Sequence, residues 1–299
     1  MRKTVVEQII QKQTKNKNIV VLTGDVGHST LADKFSHVFP ERYFNLGIAE
    51  ANIIGVSAGL TSANLTPVIF LFSKHLLLRS LEQINDSLLM NGKKAILIGE
   101  YAGYSSTFEG ETHQLLNDIS ILSSFPNINI YNPYDSKSME SAIDSAFLSN
   151  KSSYIRVSKM ETPKKTVNRV LRKDTKNLLI STGFLGALIA ESYETNDNIN
   201  SCVDLILLNQ IKPMNWELFD FLVLKYKNIF VIEENTQIGG LGAQIRDHYY
   251  LNKSDTNILS FGIGNHFGGT GEYEYLLKRD GLDPCSVFSK IEIYLEGKR

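Results

Sequence analysis

Residues 18–25, NIVVLTGD, form a mostly apolar run, rich in β-branched side chains, that stops at a glycine and an aspartate. Such a run without polar alternation is typical of a strand buried on both faces, as in parallel sheets. Similar runs recur at residues 67–72, 94–99 and 127–131, and each gap is long enough for a helix. The alternation predicts a parallel sheet of right-handed βαβ units over residues 1–160, with a first helix in residues 1–13, MRKTVVEQIIQKQ.

The composition changes after residue 160. Residues 161–177, ETPKKTVNRVLRKDTKN, are polar and basic and lack a sustained apolar face, so we predict a linker over residues 161–176. Apolar runs at residues 178–182, 201–208, 228–233 and 258–263 predict the strands of a second α/β unit, and residues 272–278 predict a last helix. We therefore predict an α/β protein of two doubly wound domains, residues 1–160 and 177–299.

The overall composition bounds the class of protein. The 299 residues are enough for two ordinary domains, and 31 basic and 32 acidic side chains leave a formal charge of -1. This balance does not favour a nucleic-acid or membrane partner, and the apolar runs are too short to span a bilayer. Residues 1–13 turn polar too early for a secretory signal, and Cys202 and Cys285 are too few for a disulfide framework or a cysteine-based metal site. We expect a cytoplasmic protein without a metal site of its own.

The most informative stretch is residues 42–60, RYFNLGIAEANIIGVSAGL. After Gly47, Ile48, Ala51 and Gly55 fall at helical spacing while the other sides stay small, which predicts a helix that packs closely and is buried nearly all round. Glu50 is the only charged residue among the 17 positions from Tyr43 to Gly59. An unpaired buried carboxylate is costly, so Glu50 requires a partner or a chemical role. The alternative is that Glu50 begins the helix, accepts a bond from a free N–H group and faces water.

Several motifs carry a resemblance to one enzyme family. Residues 42–59 resemble the glutamate-bearing helix of the transketolase family, and residues 110–114, GETHQ, resemble its Gly-x-Thr-His-Gln turn. Residues 233–242, 264–268 and 271–277 are similar to segments of the family's carboxy-terminal domain. Because the matches occur in order over nearly the whole chain, together they are far more specific than any one of them.

The resemblance implies a thiamine diphosphate enzyme. Family members combine a diphosphate-binding domain with the two domains that this chain resembles, a parallel-sheet pyrimidine-binding domain and a smaller mixed-sheet C-terminal domain. The diphosphate domain holds Mg²⁺ with a Gly-Asp-Gly motif and a later Asn, whereas Val26 follows Gly24-Asp25 here. The resemblance therefore implies the second subunit of a split transketolase. Its partner, the N-terminal transketolase subunit, supplies the diphosphate and Mg²⁺ site in an α2β2 assembly with active sites between subunits.

The same resemblance implies roles for particular side chains. Glu50 shares a proton with ring nitrogen N1′ of the cofactor and so activates it, while Phe72 and His75 line the pyrimidine pocket. His75 replaces the family's usual aromatic residue but keeps a planar face. His113 corresponds to a residue that contacts the substrate near its reacting carbonyl and transfers protons. From the residues alone, core packing of Phe72, a partly exposed helix position for His75 and a surface position for His113 stay open.

The substrate pocket departs from the family pattern at two positions. Tyr101 stands where transketolases usually have a sugar-binding His, and Glu109 stands where they usually have Asp. Tyr and Glu still bond hydroxyl groups, but they reach farther and reshape the pocket. The changes put ordinary pentose phosphate specificity in question.

The family's phosphate-binding positions are also recognisable. They correspond to Arg2, Ser29 and Lys159, with Lys159 in place of an Arg that binds in bidentate fashion. His28, beside Ser29, is a further candidate for contact with a sugar or sugar-phosphate substrate. The alternative for Arg2 and Lys159 is that they are ordinary solvated basic residues.

Three functions are consistent with these motifs. The first is a transketolase-type transferase subunit that moves a two-carbon ketol unit from a ketose to an aldose. The second is a 2-oxo acid decarboxylase or deoxyxylulose phosphate synthase-like acyl-transfer subunit. A Thr-His-Gln in place of the former's His-Ser pattern, and the apolar Leu78 near the latter's pyruvate-binding Arg position, oppose it. The third is a non-catalytic paralogue that holds the partner, which the changes at His75, Tyr101 and Glu109 favour and the retention of Glu50 opposes.

Overall fold

The computed structural model describes residues 1–161, 170–171, 173–252 and 255–297. Its strands are β1 (Ile19–Thr23), β2 (Tyr43–Asn45), β3 (Thr66–Phe72), β4 (Ile96–Glu100), β5 (Ile128–Tyr131), β6 (Ser152–Val157), β7 (Val170–Leu171), β8 (Asn177–Thr182), β9 (Asp204–Leu208), β10 (Gln210–Lys212), β11 (Asn228–Thr236) and β12 (Asn257–Ile263). Its helices are α1 (Arg2–Asn16), α2 (Gly27–Thr30), α3 (Asp33–Ser36), α4 (Glu50–Ser62), α5 (Ser73–Leu78), α6 (Leu81–Gln83), α7 (Asp118–Ser123), α8 (Ser136–Leu148), α9 (Gly183–Glu194), α10 (Asp197–Cys202), α11 (Trp216–Val223), α12 (Leu241–Leu251), α13 (Tyr273–Arg279) and α14 (Pro284–Glu296).

The first sheet has the strand order β10-β5-β6-β4-β3-β1-β2. Its strands are parallel except β10, which pairs antiparallel with β5. Val21 pairs with Val68 and packs on one face of the sheet in a cluster with Ile9 of α1. The next residue, Leu22, belongs to the cluster on the other face with Ile53 of α4. Because both faces are covered, β1, β4, β5 and β6 are buried along their whole length.

The second sheet has the strand order β12-β11-β8-β9-β7, with β7 antiparallel to β9 and the other pairs parallel. The two sheets confirm the predicted α/β fold class, with a mostly parallel first sheet and a smaller mixed second one. The segment predicted as a linker, residues 161–176, contains β7. Residues 162–169 and 172 of that segment lie outside the described residues.

Strand β6, whose sequence is SSYIRV, was not predicted. Its two serines and Arg156 interrupt the apolar run, although every residue of the strand is buried. The short strand β10 was also missed, because it follows β9 in sequence but joins the edge of the first sheet.

Two predictions near the carboxyl terminus need correction. The strand predicted at residues 201–208 begins only at Asp204, because residues 201–202 end α10, whose first turn is capped by the side chain of Asn196. The helix predicted at residues 272–278 is α13, but it is not the last one. Helix α14 follows, with Asp283 as its N-terminal cap and a proline in its first turn.

A buried network of charged groups joins the two sheets. Arg156 of β6 donates from Nε to Asp118 Oδ2 at 2.8 Å and from Nη2 to the backbone oxygen of Glu234 on β11, also at 2.8 Å. The Glu234 carboxylate accepts bonds from the backbone N–H of Tyr104 at 2.6 Å and from the hydroxyl of Tyr273 at 2.8 Å. All five residues are buried. Since buried charges are tolerated only when paired and hydrogen-bonded, this network fixes how the two sheets pack together.

Candidate active site

The candidate site residues gather at the carboxyl edge of the first sheet, where α/β proteins commonly bind ligands. Phe72 is the last residue of β3, and Tyr101 follows the end of β4. Glu50 is the first residue of α4, and His113 follows a 3₁₀ turn at Gly110–Thr112. Side chains that lie far apart in sequence are therefore brought to one place by the sheet topology.

Glu50 begins α4 and is nevertheless buried, with 5% of its surface exposed. The prediction of a helix buried nearly all round is wrong. Ile53 and Ile54 face the core, whereas Val56 is 37% exposed, and Ile48, just before the helix, is 72% exposed. The helix follows Gly47, as predicted, and begins at Glu50; the short strand β2 at residues 43–45 precedes it. Part of α4 is thus an open surface next to a buried acid.

The partner of Glu50 is Arg79. Arg79 Nη1 donates to Glu50 Oε1 at 2.6 Å, and His75 Nδ1 lies 4.0 Å from the same oxygen. The Arg79 side chain is 46% exposed, so it covers the carboxylate from the solvent side. Among the described residues, no hydrogen bond reaches the second oxygen, Oε2. This oxygen is not fully buried. Oε2 is therefore accessible to a ligand.

Sequence analysis missed Arg79. It follows α5 immediately and stands one helical turn after His75, so the two residues lie on the same side of that helix. This spacing was the available signal. It became informative only once the structure placed α5 against the start of α4.

Four rings form one cluster beside Glu50. Centroid distances are 4.6 Å between Phe72 and Tyr101, 5.9 Å between Phe72 and His75, 6.0 Å between Phe72 and His113, and 5.1 Å between His75 and His113. The cluster brings together two residues predicted to line the cofactor pocket, Phe72 and His75, and two predicted to contact the substrate, His113 and Tyr101.

The two histidines differ in their protonation chemistry. Burial, assisted by the charge of Arg79 and by His113, lowers the pKa of His75 below its ordinary value, so that imidazole is neutral at neutral pH. For His113, the hydroxyl of Thr112 donates its single proton to the backbone oxygen of Glu109 at 3.0 Å and lies 2.9 Å from His113 Nδ1. With the Thr112 hydroxyl proton donated to the Glu109 oxygen, Nδ1 donates to Thr112, which leaves Nε2 as the nitrogen with a free lone pair when the ring is neutral.

The outer part of the site centres on Tyr101. Arg2 and Lys159 place their cationic groups 5.3 Å and 4.9 Å from the centre of its ring. Lys159 Nζ lies 3.6 Å from a carboxylate oxygen of Glu109, and Arg2 bonds the backbone oxygen of Ser29. The structure thus groups five of the six predicted substrate-binding residues in one patch.

His28 does not join that patch. Its side chain is 98% exposed and contacts Asp33 on the neighbouring helix at 3.2 Å. Glu100, which sequence analysis did not single out, lies behind the patch instead. It is fully buried, with Oε2 3.3 Å from Arg2 Nε, and burial raises its pKa to about 8 against the opposing effect of Arg2.

A cavity of about 690 Å³ adjoins the site. Lys74, Glu111 and Gln114, the sequence neighbours of His75 and His113, line it together with residues of the loops at 236–239 and 264–268. Both halves of the chain therefore contribute to the wall of this cavity next to the site.

The described part of the chain contains no cluster of three or more His, Cys, Asp or Glu side chains suited to a metal ion. None of its helices combines the length and apolar character that crossing a bilayer requires.

Comparison with known protein families assigns both halves of the chain. The family model of the transketolase pyrimidine binding domain matches residues 1–165, and that of the transketolase C-terminal domain matches residues 167–287. The chain belongs to the transketolase family. It contains these two domains of the family in their usual order.

Relatives of this transketolase-family chain fall into two length classes. A protein of Methanocaldococcus jannaschii named for a transketolase C-terminal section is 28% identical over 97% of this chain and 95% of its own length. A 6-deoxy-6-sulfo-D-fructose transketolase subunit of a Clostridium species is 26% identical over 94% and 90%. By contrast, the 1-deoxy-D-xylulose-5-phosphate synthase of Clostridium tetani is 27% identical over 93% of this chain, which spans 46% of that enzyme's length.

Solved structures show the same division. A split gene transketolase, described as an inactive beta4 tetramer, is 25% identical to this chain, with a TM-score of 0.83. The match covers 100% of this chain and 98% of the split gene transketolase chain. A transketolase of Campylobacter jejuni shares the fold, with a TM-score of 0.78 at 17% identity, and is matched over 46% of its length.

Proposed function

We propose that this chain is the second subunit of a split, thiamine diphosphate-dependent transketolase, which transfers a two-carbon ketol unit from a ketose to an aldose acceptor. In this proposal residues 1–160 are the pyrimidine-binding domain, residues 161–176 the linker and residues 177–299 the C-terminal domain. The observation that carries it is the buried Glu50, with one accessible oxygen, beside a cluster of rings at the ligand-binding edge of the sheet.

The residues present fit the aminopyrimidine half of thiamine diphosphate. A carboxylate oxygen without a hydrogen bond, such as Glu50 Oε2, is a suitable partner for a protonated ring nitrogen. His75 Nδ1 lies 4.0 Å from the other Glu50 oxygen, and the Phe72 ring lies 5.9 Å from the His75 ring; a flat heterocycle packs well against such faces. Both groups that the pyrimidine requires, a proton partner and an apolar wall, come from this chain.

When bound, thiamine diphosphate supplies a nucleophilic carbon that carries the two-carbon fragment between donor and acceptor. Glu50 accepts the N–H of the protonated ring nitrogen at Oε2, and burial excludes water that would compete for that proton. His113 uses Nε2 to take a proton from a substrate hydroxyl and return it. Tyr101 and Glu109 bond substrate hydroxyl groups, while Arg2, Ser29 and Lys159 hold the far end of the substrate, with His28 at its outer margin.

A partner chain completes the site in this proposal. The N-terminal transketolase subunit holds the diphosphate and Mg²⁺, and the two chains form an α2β2 assembly. The exposed apolar residues next to Glu50, Val56 and Ile48, give that partner a surface to cover. Support comes from the relatives named for a transketolase C-terminal section and a split gene transketolase, which match this chain over nearly their whole length.

Acyl transfer from a 2-oxo acid is the second candidate, because enzymes named 1-deoxy-D-xylulose-5-phosphate synthase align with 93% or more of this chain. Arg79 is adjacent to Leu78, which lies near the pyruvate-binding Arg position. It could therefore supply the cation that pairs with the carboxylate of a 2-oxo acid. However, its guanidinium is already bonded to Glu50. Because Arg79 is bonded to Glu50 and not free for a substrate carboxylate, ketol transfer is favoured.

Reconstitution tests the proposal. The chain is combined with an N-terminal transketolase subunit from the same genome, thiamine diphosphate and Mg²⁺, and ketose cleavage and pyruvate decarboxylation are assayed in parallel. We expect ketose cleavage without decarboxylation, and weak binding of thiamine diphosphate by the chain alone. Tight Mg²⁺-dependent binding by the chain alone contradicts the split-site proposal.

The role of Glu50 is tested with Glu50→Gln in the same complex. We expect solvent exchange of the cofactor's acidic ring proton to be abolished while the two chains still assemble. Glu82→Gln, an exposed glutamate on α6, is the matched control and should exchange at the wild-type rate. Full activity of Glu50→Gln would remove the catalytic assignment.

A further inference from the structure

Glu50 presents its two oxygens to different surroundings. Oε1 accepts the hydrogen bond from Arg79 at 2.6 Å, while Oε2 has no hydrogen bond among the described residues and is accessible. A charge-assisted bond to guanidinium is strong and directional, so it restricts rotation of the carboxylate. Arg79 thus holds the carboxylate through Oε1 and leaves Oε2 accessible to a ligand.

The charges around Glu50 come from few side chains. Among the described residues, the titratable and charged groups that face Glu50 are Arg79 and His75, and behind His75 lie His113 and Lys74. His75 is neutral at neutral pH for the reasons given above. Arg79 is therefore the contacting cation that compensates the charge of Glu50.

We propose that Arg79 is a positioning residue that holds the Glu50 carboxylate through Oε1 and reserves Oε2 for the N–H of a protonated heterocycle. This inference rests on the proposed function for the identity of that heterocycle, the aminopyrimidine of thiamine diphosphate. A carboxylate bonded through Oε1 keeps Oε2 in place as the acceptor for the ring N–H, so Arg79 stabilises the protonated ring by positioning that acceptor. Arg79 acts through Glu50 and is not itself a proton carrier.

The first test measures the pair without cofactor. Urea unfolding of the full chain is compared for wild type, Arg79→Met, Glu50→Gln and the double variant. We expect a coupling of about tenfold in the unfolding equilibrium constant, in the range seen for directly bonded charged pairs. Arg246→Met, an exposed arginine on α12, is the matched control and should show no coupling to Glu50→Gln. A coupling below about twofold for Arg79 overturns the proposal.

The second test measures the proton itself. In the reconstituted complex with thiamine diphosphate and Mg²⁺, near-ultraviolet circular dichroism of the bound aminopyrimidine is followed against pH. Arg79→Met should lower the pH midpoint at which the ring loses its proton by about 1 unit, because the ring N–H loses its fixed acceptor at Glu50 Oε2. Arg79→Lys, which keeps the cation, should restore most of the shift.

The outcomes separate the two proposals. An unchanged midpoint with tighter cofactor binding in Arg79→Met shows that Arg79 merely competes for the cofactor's place, and overturns its positioning role. A wild-type complex that binds no thiamine diphosphate overturns the proposed function and the assignment of Oε2. Loss of the coupling alone overturns only the role of Arg79.

Discussion

The ring of Tyr101 packs against the ring of Phe72 with centroids 4.6 Å apart, and the same ring has Arg2 and Lys159 at 5.3 Å and 4.9 Å. One side chain thus connects the apolar wall beside Glu50 to the charged outer patch. Within the described part of the chain, its hydroxyl group makes only a long contact of 3.5 Å with the backbone oxygen of Ser29. Tyr101 therefore contacts its neighbours mainly through its ring and only weakly through its hydroxyl group.

This relationship predicts how Tyr101 variants unfold. Tyr101→Ala removes a buried ring and should lower the free energy of unfolding by about 3 kcal/mol, whereas Tyr101→Phe should lower it by less than about 1 kcal/mol. Urea unfolding of the purified chain measures both. Equal losses in the two variants would show that the hydroxyl group is the stabilising feature.

Glu109 and Lys159 make a testable pair for substrate selectivity. Because the Glu109 carboxylate lies 3.6 Å from Lys159 Nζ, Glu109→Gln should free the ammonium group for an anionic substrate. We expect the KM for a phosphorylated ketose to fall several-fold relative to its unphosphorylated form, a modest effect because both side chains are more than a third exposed. Steady-state kinetics of the reconstituted complex measure the ratio. The matched variant, Lys159→Gln, should change it in the opposite direction, and a fall in both would contradict the pairing.

Arg156 should be far more important for stability than a surface basic residue. Arg156→Met leaves the carboxylates of Asp118 and Glu234 buried without their cation, and should cost about 3–5 kcal/mol of unfolding free energy. Lys12→Met breaks a surface pair with Asp144 and should cost less than about 1 kcal/mol. Chemical denaturation measures both variants. Similar losses would show that the buried network does not hold the sheets together.

The buried carboxyl of Glu100 makes the stability depend on pH in a definite direction. Its pKa is raised by burial from 4.5 to about 8, so the folded chain keeps a proton that the unfolded chain releases above about pH 4.5. Stability contributed by that proton is fully present below pH 4.5 and is lost as the pH rises toward 8, by up to about 1.4 kcal/mol per pH unit. Urea unfolding of wild type and Glu100→Gln across this window measures the slope.

We expect the slope to become less negative in Glu100→Gln by the amount that one proton contributes. Glu233, whose pKa burial raises to about 7, contributes a slope of the same sign and stays in place in this variant. Exposed Glu7 supplies the control, since Glu7→Gln should leave the slope unchanged. A wild-type slope retained in Glu100→Gln would assign the effect to other groups.

Much of the fold was accessible from the sequence because buried parallel strands are written as continuous apolar runs. Strands β1, β3, β4 and β5 followed that pattern within two residues at each end. Strand β6 did not, because the polar side chains of Ser152, Ser153 and Arg156 are buried with partners from other elements. A run interrupted by satisfied polar groups looks like a surface segment until its partners are known.

The site residues, like the strands, include some that the sequence predicted and some that it did not. The burial of Glu50 was predictable from an isolated acid among small and apolar residues, and its neighbours followed from family resemblance. Arg79 and Glu100 were not predictable, because their importance depends on which side chains the packing of α5 and α1 brings within reach. The prediction of full burial for α4 was wrong because the sequence of an apolar helix face does not show whether the core of the same chain covers that face.

Strand β10 has a consequence for how the molecule can be divided. Because residues 210–212 supply the antiparallel edge of the first sheet, a fragment cut off within residues 161–176 would lose that strand and expose the backbone groups of β5. An exposed strand edge recruits strands from other copies and promotes aggregation. The two halves are therefore one unit of folding: cutting the chain once within residues 161–176 should leave a tightly held pair of fragments, whereas expressing the first half alone should give inclusion bodies.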